Sequence, residues 1–181
     1  MAPMCDLCDG ATLDEIRLNL ARKIDDYGWA IQSVAGGRHG IGWSYTIGLA
    51  ERFDHPELVV AGPDHPLDRA GLLGAAITRI RAGERFAAGD EATLIEVPHR
   101  FVDVHPRQFT YGVFAMWFLH YRNLPELAPE LTALQVVVPD DQCCADCAAL
   151  QPPLDQPHDV LAGGGNRASR RAAGRRRPRG R

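Results

Sequence analysis

Two short cysteine pairs bracket most of this chain: Cys5-Asp-Leu-Cys8 near its start, and Cys144-Ala-Asp-Cys147, preceded by Cys143, near its end. A C-x2-C pair presents two soft thiolates within one turn, and two such pairs supply the four ligands of a closed tetrahedral zinc site. Cys5, Cys8, Cys144 and Cys147 are therefore read as structural zinc ligands, with Cys143 able to stand in for Cys144. The separation of the pairs is far longer than in a zinc ribbon, so spacing alone leaves two other readings open. One is a set of reduced thiols; the other is a redox pair at Cys5 and Cys8, which precede a helix but follow no apolar strand.

A second set of reactive groups lies in Pro98-His99-Arg-Phe-Val-Asp103-Val-His105-Pro106. At a period of two, His99, Asp103 and His105 share one strand face, and two imidazoles with a carboxylate make a metal-ligating or acid/base set. With His55 nearby they are the catalytic candidates of a metal-assisted hydrolase or a proton-transfer enzyme. The plain reading of the same residues is a solvated strand face. No P-loop, G-x-G-x-x-G, G-x-S-x-G or H-E-x-x-H motif occurs.

The third set is Trp43-Ser-Tyr-Thr-Ile-Gly-Leu49 followed by His55-Pro-Glu-Leu58. Ser44, Thr46 and Gly48 give one strand face small groups that admit a packed helix or a ligand close to the backbone. Tyr45, Thr46, Gly48, His55 and Glu57 are the candidate ligand-binding residues, with His55 on a loop where it either fixes the turn or contacts a ligand. This segment resembles the bacterial domain-of-unknown-function family 4262. The resemblance extends to Met4-Cys5-x-x-Cys8, Gly28-Trp29-Ala30, Gly83-Glu84-Arg85-Phe86 and Leu134-Gln135-Val136 leading to Pro139-Asp140, and so covers about Met4 to Asp141. Many relatives continue with a Phe-Pro-Trp-type segment where this chain has its second cysteine cluster. The resemblance implies an identity but neither an activity nor catalytic residues.

Charge divides the chain. From Gly163 to Arg181 there are eight arginines and no acidic residue, which leaves 12 of the 20 basic side chains to set against 23 acidic ones in the remainder. Arginine forks grip phosphate, so the tail predicts a weak, salt-sensitive, sequence-blind nucleic-acid contact; without aromatics it cannot stack bases. A solubilising extension is the plainer role. Gly163-Gly164-Gly165 reads as a hinge and the residues after it as disordered, with a short helix at 167–173 possible on binding.

The elements that must position these groups follow from periodicity. Thr12-Leu-Asp-Glu15 is a capping box, and Leu13, Ile16, Leu20, Ile24 and Tyr27 recur at helical spacing up to Gly28. Strands are expected at 29–35, 43–49, 58–62, 92–97, 100–105 and 134–138, with turns at Gly36-Gly37, at 87–90, at Pro98 and after Pro139. A second helix, capped by Asp64, uses Leu67, Ala70, Leu73, Ile77 and Ile80 and closes at Gly83. Phe109 to Tyr121 reads as a buried aromatic helix, with a strand start as the alternative. About three helices and six strands that do not alternate regularly favour an α+β fold with a mostly antiparallel sheet. One domain over 1–160 and a basic tail over 161–181 are expected. No apolar run reaches the roughly 18–20 residues that cross a bilayer, and no secretory leader is visible at the start, so the expected setting is cytoplasmic, with no membrane contact and an unknown ligand or protein partner.

Overall fold

The computed structural model of the chain describes residues 11–35, 41–62, 66–122, 130–138 and 151–157. All five cysteines, the arginine tail, the Gly36-Gly37 turn, Asp64 and the turn after Pro139 lie outside the described residues.

The first helix, α1 (Leu13–Tyr27), starts from the predicted capping box: the Thr12 hydroxyl accepts from the Glu15 amide while the Glu15 carboxylate accepts from the Thr12 amide. The Thr12 amide, together with the Thr12 hydroxyl that also donates to this carboxylate, holds the Glu15 carboxyl below its ordinary pKa. The helix ends at Gly28, whose φ of 87° lets its amide reach the Ile24 carbonyl. Two strands follow, β1 (Ala30–Val34) and β2 (Gly42–Ile47), paired antiparallel. A short helix, α2 (Leu49–Phe53), leads to β3 (Glu57–Gly62), and α3 (Pro66–Arg81) crosses the sheet. The hairpin β4 (Glu91–Leu94) and β5 (Val97–Asp103), a single 3-10 turn at 106–108, α4 (Tyr111–Tyr121) and β6 (Ala133–Val137) complete the order.

The six strands form one sheet in the order β1-β2-β3-β6-β5-β4. Only β3 and β6 pair in parallel, so the sheet is mixed but mostly antiparallel, as the sequence predicts. Alternation sends side chains to two cores. On one face Leu73, Ala76, Ile77 and Ile80 of α3 pack on Leu58, Val60, Leu134, Val136 and Phe101. On the other, Leu20 and Ile24 of α1 and Val113, Phe114, Trp117 and Tyr121 of α4 pack on Trp43, Tyr45, Ile47, Val59 and Ala133. Leu154 joins this second core, and residues 151–157 are laced to the sheet: Gln135 donates to the Pro152 carbonyl and accepts from the Leu154 amide.

Several expectations need correction. The strand expected over 43–49 stops at Ile47, because Gly48 turns left-handed (φ 104°) and Leu49 starts α2; Leu49 therefore lies in the α3-side core, not beside Trp43, Tyr45 and Ile47. The hairpin turn is Ile95-Glu96 instead of Pro98, which lies inside β5 opposite Thr93, where β6 has not yet begun to pair. Both turn residues have positive φ, a conformation that ordinarily calls for Asn or Gly. Leu13 and Tyr27 of α1 and Leu67 of α3, assigned to buried faces from periodicity, are exposed at element ends. Among the described residues there are four α-helices where about three were expected, the extra one being α2.

Candidate functional site

The most unusual group among the described residues is a carboxylate inside the protein. Glu57, at the first position of β3, is fully buried. Its Oε1 accepts from the Gly48 amide at 2.9 Å, and its Oε2 accepts from the Thr46 hydroxyl at 2.6 Å and the Leu49 amide at 3.4 Å. The Thr46 hydroxyl in turn accepts from the Leu58 amide at 2.8 Å. The ladder between β2 and β3 ends at Tyr45 and Val59. Beyond it, the Thr46 and Glu57 side chains replace backbone partners and satisfy the amides that open α2, which a helix start leaves unpaired. Burial pushes the Glu57 pKa above the ordinary carboxylate value, while Thr46 and the amides of Gly48, Ala50 and Leu49 pull it down.

Gly48 is required at this seam twice over. Its φ is left-handed, and a Cβ there would stand 2.9 Å from the Gly28 carbonyl oxygen and 3.2 Å from Ile24 Cγ2. The end of α1 and the start of α2 thus meet backbone against backbone.

The aromatic half of the same motif works on α4. That helix is kinked at Phe114 (φ −114°, ψ 37°). The Trp43 indole N–H donates to the Val113 carbonyl at 3.0 Å, and the Tyr45 hydroxyl accepts from the Met116 amide at 2.9 Å. Both bonds serve backbone groups flanking the break, and Tyr45 stacks edge-on against Phe114 at 5.0 Å. Burial pushes the Tyr45 phenol above its ordinary pKa, with backbone hydrogen bonds opposing it. On the opposite face of β2, Ser44 meets the Ser33 hydroxyl at 2.8 Å and accepts from buried Arg69 of α3 at 3.3 Å. The small strand face therefore receives a helix, the plainer of its two expected occupants.

The structure brings Thr46, Gly48 and Glu57 into one bonded group and places Tyr45 and His55 elsewhere. The His55 ring donates from Nδ1 to the Pro56 carbonyl at 2.7 Å and accepts at Nε2 from the Phe86 amide at 3.1 Å. It is the neutral imidazole, and burial lowers its pKa. The ring also stands edge-on to Phe86, which stacks on Phe101 at 4.1 Å.

His99, Asp103 and His105 have three different surroundings. His99 is buried, with Nδ1 bonded to the Val97 carbonyl at 2.8 Å and its pKa lowered by burial. Asp103 is exposed at the last position of β5. His105 lies past the strand end, where its Nδ1 accepts from the Arg107 amide at 3.1 Å and caps the 3-10 turn. The shared strand face expected for the three is broken because β5 ends before His105. Among the described residues no three His, Cys, Asp or Glu side chains are grouped to hold a metal ion.

A second polar cluster, not foreseen from the sequence, adjoins Glu57. The Tyr121 hydroxyl donates to Glu51 Oε2 at 3.2 Å, and His120 Nε2 lies 4.0 Å from the same oxygen. Arg52 pairs with Glu51 at 3.1 Å and with Asp25 at 3.2 Å, linking α2 to α1. Burial, then the Glu57 and Glu51 charges, push the Tyr121 phenol above its ordinary pKa. These residues come from three helices, so no local spacing announces their meeting.

A family model described as "Domain of unknown function (DUF4262)" matches residues 23–143, and the chain belongs to that family. Searches of the curated proteins and of the solved structures found no match. No helix among the described residues is long and apolar enough to cross a membrane.

Proposed function

We propose that this DUF4262 protein is a non-enzymatic binding or regulatory module: a rigid α+β body, tied by a structural zinc ion at Cys5, Cys8, Cys144 and Cys147, that carries a cationic arm. The observation behind this reading is how the motif's polar groups are used. Tyr45, Thr46, Gly48, His55 and Glu57 direct their hydrogen bonds to the protein's own backbone and side chains. A catalytic group must instead present its reactive atom to a substrate. The imidazoles of His55, His99 and His105 are likewise bonded to backbone within the fold.

Two described flanks support the zinc reading. Leu20 and Ile24 of α1, the helix that follows Cys8, share a core with Leu154, seven residues after Cys147. The Val138 amide donates to the Gln151 side chain at 3.1 Å, so the two residues flanking positions 139–150 are joined. A zinc bound by four thiolates would hold these ends together, supplying folding free energy and no reaction step.

Polyanions are the partner class that the charge layout favours, through the eight arginines of 163–181. The test is retention of the whole chain on immobilised single-stranded DNA over a salt gradient. The full protein should be retained at low salt and released steeply as salt rises. A chain lacking 163–181 should flow through with an unchanged circular-dichroism spectrum and melting temperature. Equal retention of the two at moderate salt would overturn this part of the reading.

A further inference from the structure

His120 differs from the other described histidines. His55, His99 and His105 each have a ring nitrogen hydrogen-bonded, whereas His120 has none. Its side chain is only 6% exposed, and its Nε2 stops 4.0 Å from Glu51 Oε2. That gap is too long for a hydrogen bond and short enough to close by a side-chain rotation. The imidazole stands edge-on to the Tyr121 ring at 4.6 Å, and the Tyr121 hydroxyl holds the same Glu51 oxygen at 3.2 Å. One carboxylate oxygen thus has two neighbouring donor groups, and only one of them is bonded to it.

We propose that His120 is a proton-operated latch between α4 and α2: on gaining a proton from solvent, the imidazolium Nε2–H closes onto Glu51 Oε2, the oxygen that the Tyr121 hydroxyl also holds. A buried imidazolium needs a carboxylate partner, and Glu51 is the one within reach. The groups around it decide where the latch operates. Burial lowers the His120 pKa; Glu51 of α2 and Asp25 of α1 favour the proton, while Arg52 of α2 and Arg17 of α1 oppose it. Tyr121 of α4 stays neutral there, with burial and then the Glu57 and Glu51 charges acting against its ionisation. The latch therefore closes on the acid side of the ordinary histidine value, about 6.5. Because the Leu49 amide of α2 and the Gly48 amide just before it are bonded to Glu57, a shift of α2 reaches the motif directly.

The experiment is an NMR titration of the full-length protein from pH 8 to 4.5, following the His120 imidazole and the amides of Leu49–Phe53 and Tyr121. The expected result is one reversible step below pH 6.5 in which ring and amides move together. Glu51→Gln should lower its midpoint by about one pH unit, roughly tenfold in proton affinity. His120→Gln should abolish the step. The proposal is overturned if His120 stays neutral until the chain unfolds, if the α2 amides do not follow the ring, if the midpoint is unchanged in Glu51→Gln, or if the step persists in His120→Gln. Should His120→Gln not fold, the wild-type ring-and-amide comparison and the Glu51→Gln midpoint decide alone.

Discussion

One imidazole, that of His55, joins the loop before β3 to the segment before β4 by donating from one nitrogen and accepting at the other. Protonation would turn the accepting Nε2 into a donor facing the Phe86 N–H. The folded state therefore resists the proton, in line with a pKa lowered by burial. The sign follows from linkage. With the folded pKa below the unfolded one, this group's contribution is fully present above the ordinary histidine value and is lost as pH falls through the lowered value. Urea unfolding between pH 7.5 and 5 should show wild-type stability falling with acid. His55→Gln should cost about 1–3 kcal/mol at pH 7.5, because the Phe86 amide loses its acceptor, and should make that acid slope shallower, leaving the part due to His99 and His120. An unaltered slope would remove His55 from the account. Much of this was legible: Thr46 and Gly48 stand out as small groups on one face of an alternating strand, and His55 and Glu57 as polar groups in the loop that follows it. Their use was not legible, since internal bonding and ligand binding call for the same residue types. Glu51, His120 and Tyr121 gave no signal, because an aromatic helix and a charged turn meet only through tertiary packing.

At the level of elements, patterning succeeded where local chemistry and burial agree. The capping box of α1 and the apolar spacing of α3 are read directly. It failed where the backbone adopts a conformation its residues do not advertise. Gly48 breaks the alternation of β2 by starting a helix too short to show a 3.6-residue period. The β4–β5 turn places Ile95 at φ 50° and Glu96 at φ 66°, with no Asn or Gly to mark it, whereas Pro98 supplies a false breaker signal. A β-branched residue in the left-handed region is unfavourable, and Ile95 is 60% exposed, so packing compensates little. Replacing the pair by Ile95→Asn and Glu96→Gly should stabilise the protein by about 1–2 kcal/mol, read as a higher urea midpoint at constant slope. A lower midpoint would show that Ile95 makes contacts worth more than its strain.

For the whole molecule, a sheet with α3 on one side and α1 and α4 on the other places the chain's early helix and its late segment 151–157 over the same face. The acidic body and the eight-arginine tail then form two parts of opposite charge, which one net value of −3 conceals. Sequence alone names the thiol pairs and the tail and reads the pairs as one zinc site from their ligand types, although nothing local encodes a contact across more than a hundred residues. What ties the body determines what kind of protein this is: a zinc clasp makes the cysteines architectural, and a dithiol makes them reactive. Elemental analysis of the purified chain, combined with thiol titration before and after chelation, separates these directly. The account predicts one zinc ion per chain, one readily titrated thiol, and four more released by chelator with a loss of thermal stability. Metal-free protein with all five thiols reactive, or with Cys5 and Cys8 joined in a disulfide, would contradict it.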